Sequence, residues 1–200
     1  MVNQGRSNTR DRILTVAAKL FSEKGYDRVT TRELATEIGI NAASMYYYFS
    51  SKEDILKSLY TLYSHHLKEE TPDLEELLIL AEIDEPHKVL MKTEFHFDEN
   101  VREMLDQIVV IATGMLHADE DSKNFIYENI FKPTDKIVKP LLKRMVELGK
   151  IKPFDIDTFI EVFSYYCFSA AALNRSSFRL DVEGYQGAMS FLFSMVTPLT

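Results

Sequence analysis

VTTRELATEIGINAASMYYYFSSKEDIL, residues 29–56, is the stretch whose reading decides the fold. Thr30 followed by Glu33 is a capping box, and Val29 with Leu34 brackets it as a hydrophobic staple. A helix beginning there carries Leu34, Ala35 and Ile38 on one face and stops at Gly39. Ile40 reads as a buried turn residue. Asn41 is a good N-cap for a third, short helix through Tyr48. Two helices joined by a tight turn containing glycine form a helix-turn-helix. The second of them opens on small residues, Ala42, Ala43 and Ser44, and then presents Tyr46, Tyr47 and Tyr48. Met45 and Phe49 point the other way, into a small core.

Working outward, the preceding helix spans about Thr9 to Lys24, with Ile13, Ala17, Leu20 and Phe21 in one stripe and Gly25 suited to a left-handed cap. The following helix starts at Ser51, with Glu53 and Asp54 in its first turn where the helix dipole favours negative charge. It runs to about Lys68. Beyond Thr71-Pro72 the pattern predicts helices at about 73–83, 86–95 and 98–116. The stretch 120–149 also reads as helical, with Pro133 and Pro140 expected to break or kink it. Two last helices, about 155–174 and 182–197, are apolar on more than one face. No hairpin signal or long apolar/polar alternation appears, so the fold class is all-α.

The chain has 200 residues and a net charge of −8. That charge is unevenly spread: residues 1–57 hold nine Lys and Arg against seven Asp and Glu, and residues 58–200 hold fourteen against twenty-four. Such asymmetry suits a chain that offers one end to phosphate, though an acidic solvated surface explains the rest equally well. No apolar run reaches the roughly 18 residues of a membrane span. The polar start, MVNQGRSNTRDR, lacks the apolar core of a signal peptide, and the lone Cys167 cannot form an internal disulfide. A cytoplasmic protein without a membrane partner is expected. A metal site is not: His65 and His66 are adjacent, and His87, His96 and His117 lack ligating partners at helical spacing. Nor is a cofactor or an enzyme, given no Gly-rich phosphate loop, nucleophile elbow or nearby Cys/His pair.

A small-residue helix start allows close approach to a groove, and tyrosine hydroxyls donate to phosphate. On the pieces Thr30-Thr31-Arg32-Glu33-Leu34-Ala35, Gly39 to Phe49, and Ser51-Lys52-Glu53 with Leu56, the segment resembles the DNA-binding domain of the TetR family of transcriptional regulators. The likeness reaches back to the Ile13, Ala17, Phe21 stripe. Asn41 and Ala43 depart from it, where the family more often has Ser and Gly. The resemblance implies a three-helix helix-turn-helix DNA-binding domain at 1-50 and a helical ligand-binding and dimerisation domain at 51-200, with the helix 51-68 bridging them. Carried over by position, Thr31, Arg32, Ala42, Ala43, Ser44, Tyr46, Tyr47, Tyr48 and Lys52 would face DNA, with Tyr46, Tyr48 and Lys52 on phosphate. Arg32 and Lys52 could instead be plain surface cations, and Tyr48, directly before Phe49, could be core.

The same resemblance implies a homodimer on a palindromic double-stranded operator, with a small-molecule effector in the second domain. Candidates for the effector pocket are Phe95, Phe97, Met104, Gln107, Ile108, Ile111, Met115, Tyr127, Phe131, Tyr166 and Asn174, which together suit an apolar or aromatic ligand. Any of these apolar residues is also ordinary helical core, while Gln107 and Asn174 need partners if buried. Candidates for the dimer interface are Phe159, Phe163, Ala170, Tyr185, Met189, Phe191, Leu192 and Met195. The leading expectation is a repressor released by its effector. An activator or a ligand-independent regulator, and more remotely a helical enzyme or scaffold, are the alternatives.

Overall fold

The computed structural model describes residues 2–93 and 97–173, with side chains over 9–93 and 97–169. Every regular element among them is helical. Two compact units emerge from the packing: one comprises residues 1–66 with 98–126, the other 67–97 with 127–200. The division at residue 50 in the sequence concerns roles; packing draws its line elsewhere, because the segment 98–126 closes on the N-terminal helices.

In the first unit, α1 (Val2–Lys24) starts earlier than its apolar stripe. Ile13, Leu14, Ala17, Ala18 and Phe21 lie buried at the three- and four-residue spacing of one helix face. Gly25 follows at φ 87°, ψ 141°, which is not the left-handed cap expected of it but an extended conformation open essentially to glycine. A short 3-10 turn, Tyr26–Arg28, leads to α2 (Thr31–Ile38). The Glu33 amide donates to Thr30 Oγ1, as a capping box requires. Gly39 closes α2 in the left-handed conformation at φ 78°. Then Asn41 Oδ1 accepts from the Ser44 amide to start α3 (Ala42–Tyr48). Ser51 Oγ accepts from the Asp54 amide at the head of α4 (Lys52–Glu70).

Helices α7 (Glu99–Met115) and α8 (Glu120–Ile126) complete this unit, α7 lying against α1. A polar chain joins α4 to the start of α8. The carboxylate of Asp119 accepts from both the amide and the hydroxyl of Ser122, so Tyr60 Oη must be the donor in its 2.7 Å bond to Ser122 Oγ. Ser122 is fully buried, and the Tyr60 ring stacks on Phe125 at 4.4 Å.

The second unit contains α5 (Leu74–Ile83), α6 (Pro86–Met91), α9 (Lys139–Glu147) and α10 (Ile156–Leu173). Its core gathers Leu77, Val89, Leu90, Leu141, Leu142 and Phe163. Lys150 Nζ donates to the carbonyls of Glu82 and Asp84, satisfying the C-terminal end of α5. The prolines do not break the path between α8 and α9. Pro133 sits between two wide, π-type turns, Tyr127–Phe131 and Thr134–Val138. Their longer hydrogen-bond span accommodates the missing N–H and the crowded carbonyl a turn before. Pro140 falls in the first turn of α9, where no intrahelical donor is needed. No helix among the described residues is long and apolar enough to cross a membrane.

Ser122→Ala leaves the Tyr60 hydroxyl buried without its acceptor. It should destabilise the protein by about 1–3 kcal/mol in urea unfolding. Adding Tyr60→Phe should cost less than the sum of the two single changes, since both remove one interaction.

Burial raises the phenol of Tyr60 to about 12, against an ordinary 10. The folded state then holds this proton more tightly than the unfolded chain, so its contribution is complete below pH 10 and is lost as pH rises toward 12. Urea midpoints should fall steeply between pH 10 and 11, and less steeply, relative to pH 8, in Tyr60→Phe.

Candidate nucleic-acid interface

Met45 and Phe49 bury one side of α3 in the first unit's core, both at about the exposure of α2's Leu34 and Ala35. With that side fixed, the remaining positions of a seven-residue helix have nowhere to go but outward. Tyr46 and Tyr47 are 60% and 63% exposed, and Ala43 is exposed beside them. Ala42, Ser44 and Tyr48 are half-buried, the ring of Tyr48 standing edge-on to Tyr47 at 5.3 Å. On α2, Thr31 is half-buried and Arg32 exposed, and the Arg32 guanidinium has no hydrogen bond or ion pair among the described residues. These residues share one helix-turn-helix and lie on its outer side.

Around them, cations are tied to the scaffold. Arg12 Nη2 donates to the Ile38 carbonyl at 2.9 Å, satisfying the end of α2. Arg10 donates to Ser58 Oγ and its guanidinium lies 4.8 Å from the Phe49 ring centroid. Lys24 meets Glu33 at 2.6 Å. That contact, joined by the Thr30 backbone N–H, holds the Glu33 carboxyl below its ordinary value. Lys52 is half-buried; its Nζ donates to the carbonyls of Tyr26 at 2.9 Å and Val29 at 3.1 Å, and lies 4.1 Å from the Tyr26 ring centroid. Burial pushes the Tyr26 phenol up to about 12. Neither Arg10, Arg12 nor Tyr26 carries a local sequence signal for these contacts, which join positions 26 or more residues apart.

The other candidates scatter. Gln107, Ile108 and Ile111 are buried on α7 in the first unit, and the Gln107 side-chain amide donates to Glu103 at 3.3 Å. Met104 and Met115 are half-buried on the same helix, and Phe97, Phe131 and Tyr166 are half-buried in the second unit. Tyr127, at the start of a π-type turn, is 59% exposed. An open groove of about 580 Å³ does occur in the second unit, lined by Leu77, Leu80 and Met91 with Asp73, His87 and Lys88 at its polar edges, and none of the pocket candidates borders it. Phe163, expected at a dimer interface, is instead 4% exposed in the chain's own core, with Phe159 stacked on it at 5.9 Å. Among the described residues, the large apolar side chains that α10 leaves exposed are Val162 and Tyr165. Phe95, Asn174, Tyr185, Met189, Phe191, Leu192, Met195 and the side chain of Ala170 lie outside the described residues. Among those described, no group of three or more His, Cys, Asp or Glu could hold a metal ion.

Residues 13–59 match the bacterial regulatory proteins of the tetR family, a span that runs from the middle of α1 into α4. An uncharacterised HTH-type transcriptional regulator, YerO of Bacillus subtilis, is 28% identical over 135 residues, covering 66% of this chain and 45% of that protein. The biofilm operon negative transcriptional regulator IcaR of Staphylococcus aureus is 48% identical over 46 residues, 23% of this chain and 25% of its own length. The chain thus spans less than half the length of either relative. Along nearly its whole length it shares the fold of a transcriptional regulator from Saccharomonospora viridis solved with choline, with a TM-score of 0.67, 17% identity, and 96% and 99% of the two chains covered. The matched tetR-family segment coincides with the helix-turn-helix, and the fold of a transcriptional regulator is shared along the rest of the chain.

Proposed function

We propose that the protein is a transcriptional regulator that binds a palindromic operator as a homodimer through α2 and α3, and most simply a repressor released by a small effector. The observation that carries this is the outer side of the helix-turn-helix. Ala43, Tyr46 and Tyr47 stand exposed on a short helix anchored by Met45 and Phe49, with the free Arg32 guanidinium on the helix before it. By role, residues 1-50 are the reading head and 51-200 the effector-binding and dimerising part.

In this assignment Tyr46 donates its hydroxyl to a phosphate, Tyr48 lends a second contact of that kind, and Thr31 and Ser44 hydrogen-bond close to the backbone. Ala42 and Ala43 let the helix approach thymine methyls, while Tyr47 and Arg32 reach base edges. The repressor sign is supported by IcaR, a negative regulator similar over the reading head. An apolar or aromatic effector is in keeping with the half-buried Phe97, Phe131 and Tyr166 of the second unit. The dimer would use the exposed side of α10, Val162 and Tyr165, together with the segment that follows it.

The deciding experiment is selection of duplexes from a random pool by the purified protein, followed by anisotropy titrations on the enriched sequence. A palindrome should emerge, with affinity that falls as salt rises. Tyr46→Phe should weaken binding to every sequence by about the same factor, roughly 2- to 10-fold, the worth of one hydrogen bond. Tyr47→Ala should instead flatten the preference at one or two positions. Failure to enrich any sequence would remove the proposal.

For the assembly, sedimentation should show a dimer at micromolar concentration. Val162→Glu combined with Tyr165→Glu should shift it to monomer while leaving the helical circular-dichroism signal in place, because both side chains are exposed in the single chain. A wild-type monomer would exclude this interface.

A further inference from the structure

We propose that Lys52 is a positioning residue for the reading head: its ammonium ties the head of α4 to the turn before α2 and so fixes where Thr31 and Arg32 stand, without contacting phosphate itself. This rests on the assignment of α2 and α3 to DNA. Three contacts converge on one atom. Nζ lies 2.9 Å from the Tyr26 carbonyl oxygen, 3.1 Å from that of Val29 and 4.1 Å from the Tyr26 ring centroid. An ammonium has three hydrogens. Two are directed at carbonyls, and the ring face takes the remaining charge.

The two carbonyls belong to the short segment that leads into α2, whose other anchor is the fully buried Val29 side chain. Tyr26–Arg28 is a single 3-10 turn, and the Tyr26 carbonyl accepts only a long 3.3 Å bond from the Val29 amide besides Lys52. Val29 is followed at once by Thr30, the cap whose hydroxyl starts α2, and then by Thr31 and Arg32. The Tyr26 ring also stands edge-on to Phe21 of α1 at 5.1 Å. Lys52 therefore connects α1, the turn, the start of α2 and the start of α4 through one charge. A cation in the first turn of a helix opposes the helix dipole. Two charge-assisted bonds to carbonyls account for its presence there, and moving it to a phosphate would break both. The exposed Arg32, by contrast, has no partner among the described residues to give up.

The test uses Lys52→Met, which keeps the aliphatic stem and removes the charge, and Lys52→Arg, which can still donate to carbonyls and lie on the ring. Two measurements are made on the full chain: amide hydrogen exchange, and binding to the duplex that the wild-type protein selects from a random pool. In Lys52→Met the Arg28 and Val29 amides should exchange about tenfold faster, the loss of about one hydrogen bond's protection, with Leu59 in α4 unchanged. Affinity should fall while the slope of log affinity against log salt stays as in wild type. Arg32→Ala should cost several-fold less in the Lys52→Met background than in wild type, a non-additivity that a general loss of stability would not produce. Lys52→Arg should restore both exchange and affinity. A salt slope smaller by about one unit would mean that Lys52 neutralises a phosphate, and the proposal falls. Unaltered exchange at Arg28 and Val29 overturns it equally. If the wild type selects no duplex, the DNA assignment fails by itself, and exchange still decides whether Lys52 holds the turn.

Discussion

Everything at the candidate interface depends on the burial of Met45 and Phe49. A seven-residue helix is too short to persist by propensity, so α3 exists because its inner side is packed and its ends are held. Asn41 holds the start and the Phe49 amide, donating to the Met45 carbonyl, holds the end. Once Met45 and Phe49 face inward, the 3.6-residue period sets Ala43, Tyr46 and Tyr47 facing out. Replacing either anchor with a polar residue would reorient the three exposed positions together, without altering any of them.

The core receiving those anchors includes two small residues of α1. Ala17 and Ala18 are fully buried next to Ile13 and Leu14, so α1 can approach its neighbours closely. Phe49 is covered from above by the Arg10 guanidinium, which is in turn held by Ser58 of α4. α1 and α4 therefore clamp the end of α3 by a stacked cation and a hydrogen bond as well as by apolar packing. The Tyr60, Ser122 and Asp119 chain extends the same helix α4 to α8. The grouping of 98–126 with the N-terminal helices follows from these contacts.

Local signals made the reading head legible in the sequence: capping residues, a glycine at positive φ and an apolar period all act within a few residues of one another. Thr30, Gly39 and Asn41 behave as their chemistry requires. Gly25 shows the limit of such signals, because a glycine marks a positive φ without saying which ψ accompanies it. The prolines show another. Pro133 reads as a break, yet a helix can widen its turns around a proline when its flanks are buried, and Thr134 and Val138 are. The second unit was less legible, since Phe159, Phe163 and Tyr166 are equally good core, pocket or interface by composition. Only packing separates them. It assigns Phe163 to the core and turns Tyr127 out to solvent. The long-range contacts of Arg10, Arg12 and Lys52 had no sequence signal at all.

That last group changes the meaning of the charge asymmetry. Residues 1–57 carry nine Lys and Arg, which taken as a surface would suggest a strongly cationic head. Among the described residues, five are engaged inside the first unit: Arg10 with Ser58 and Phe49, Arg12 with Ile38, Lys24 with Glu33, Lys52 with Tyr26 and Val29, and Lys57 with Asp121. Their charges still contribute to the local field, but their hydrogen bonds are committed to carbonyls, a hydroxyl and carboxylates. Each phosphate neutralised by a cation contributes roughly one unit to the salt slope of binding. If the helix-turn-helix meets DNA as proposed, its two exposed tyrosines, Tyr46 and Tyr47, offer neutral donors to phosphate, which release no counterions. On that proposal, affinity depends more on fit, with close approach at Ala43 and contact by Tyr46 and Tyr47, than on charge. The same proposal makes the placement of α2 and α3, to which the contacts of Lys52 contribute, weigh more than the number of cations near the groove.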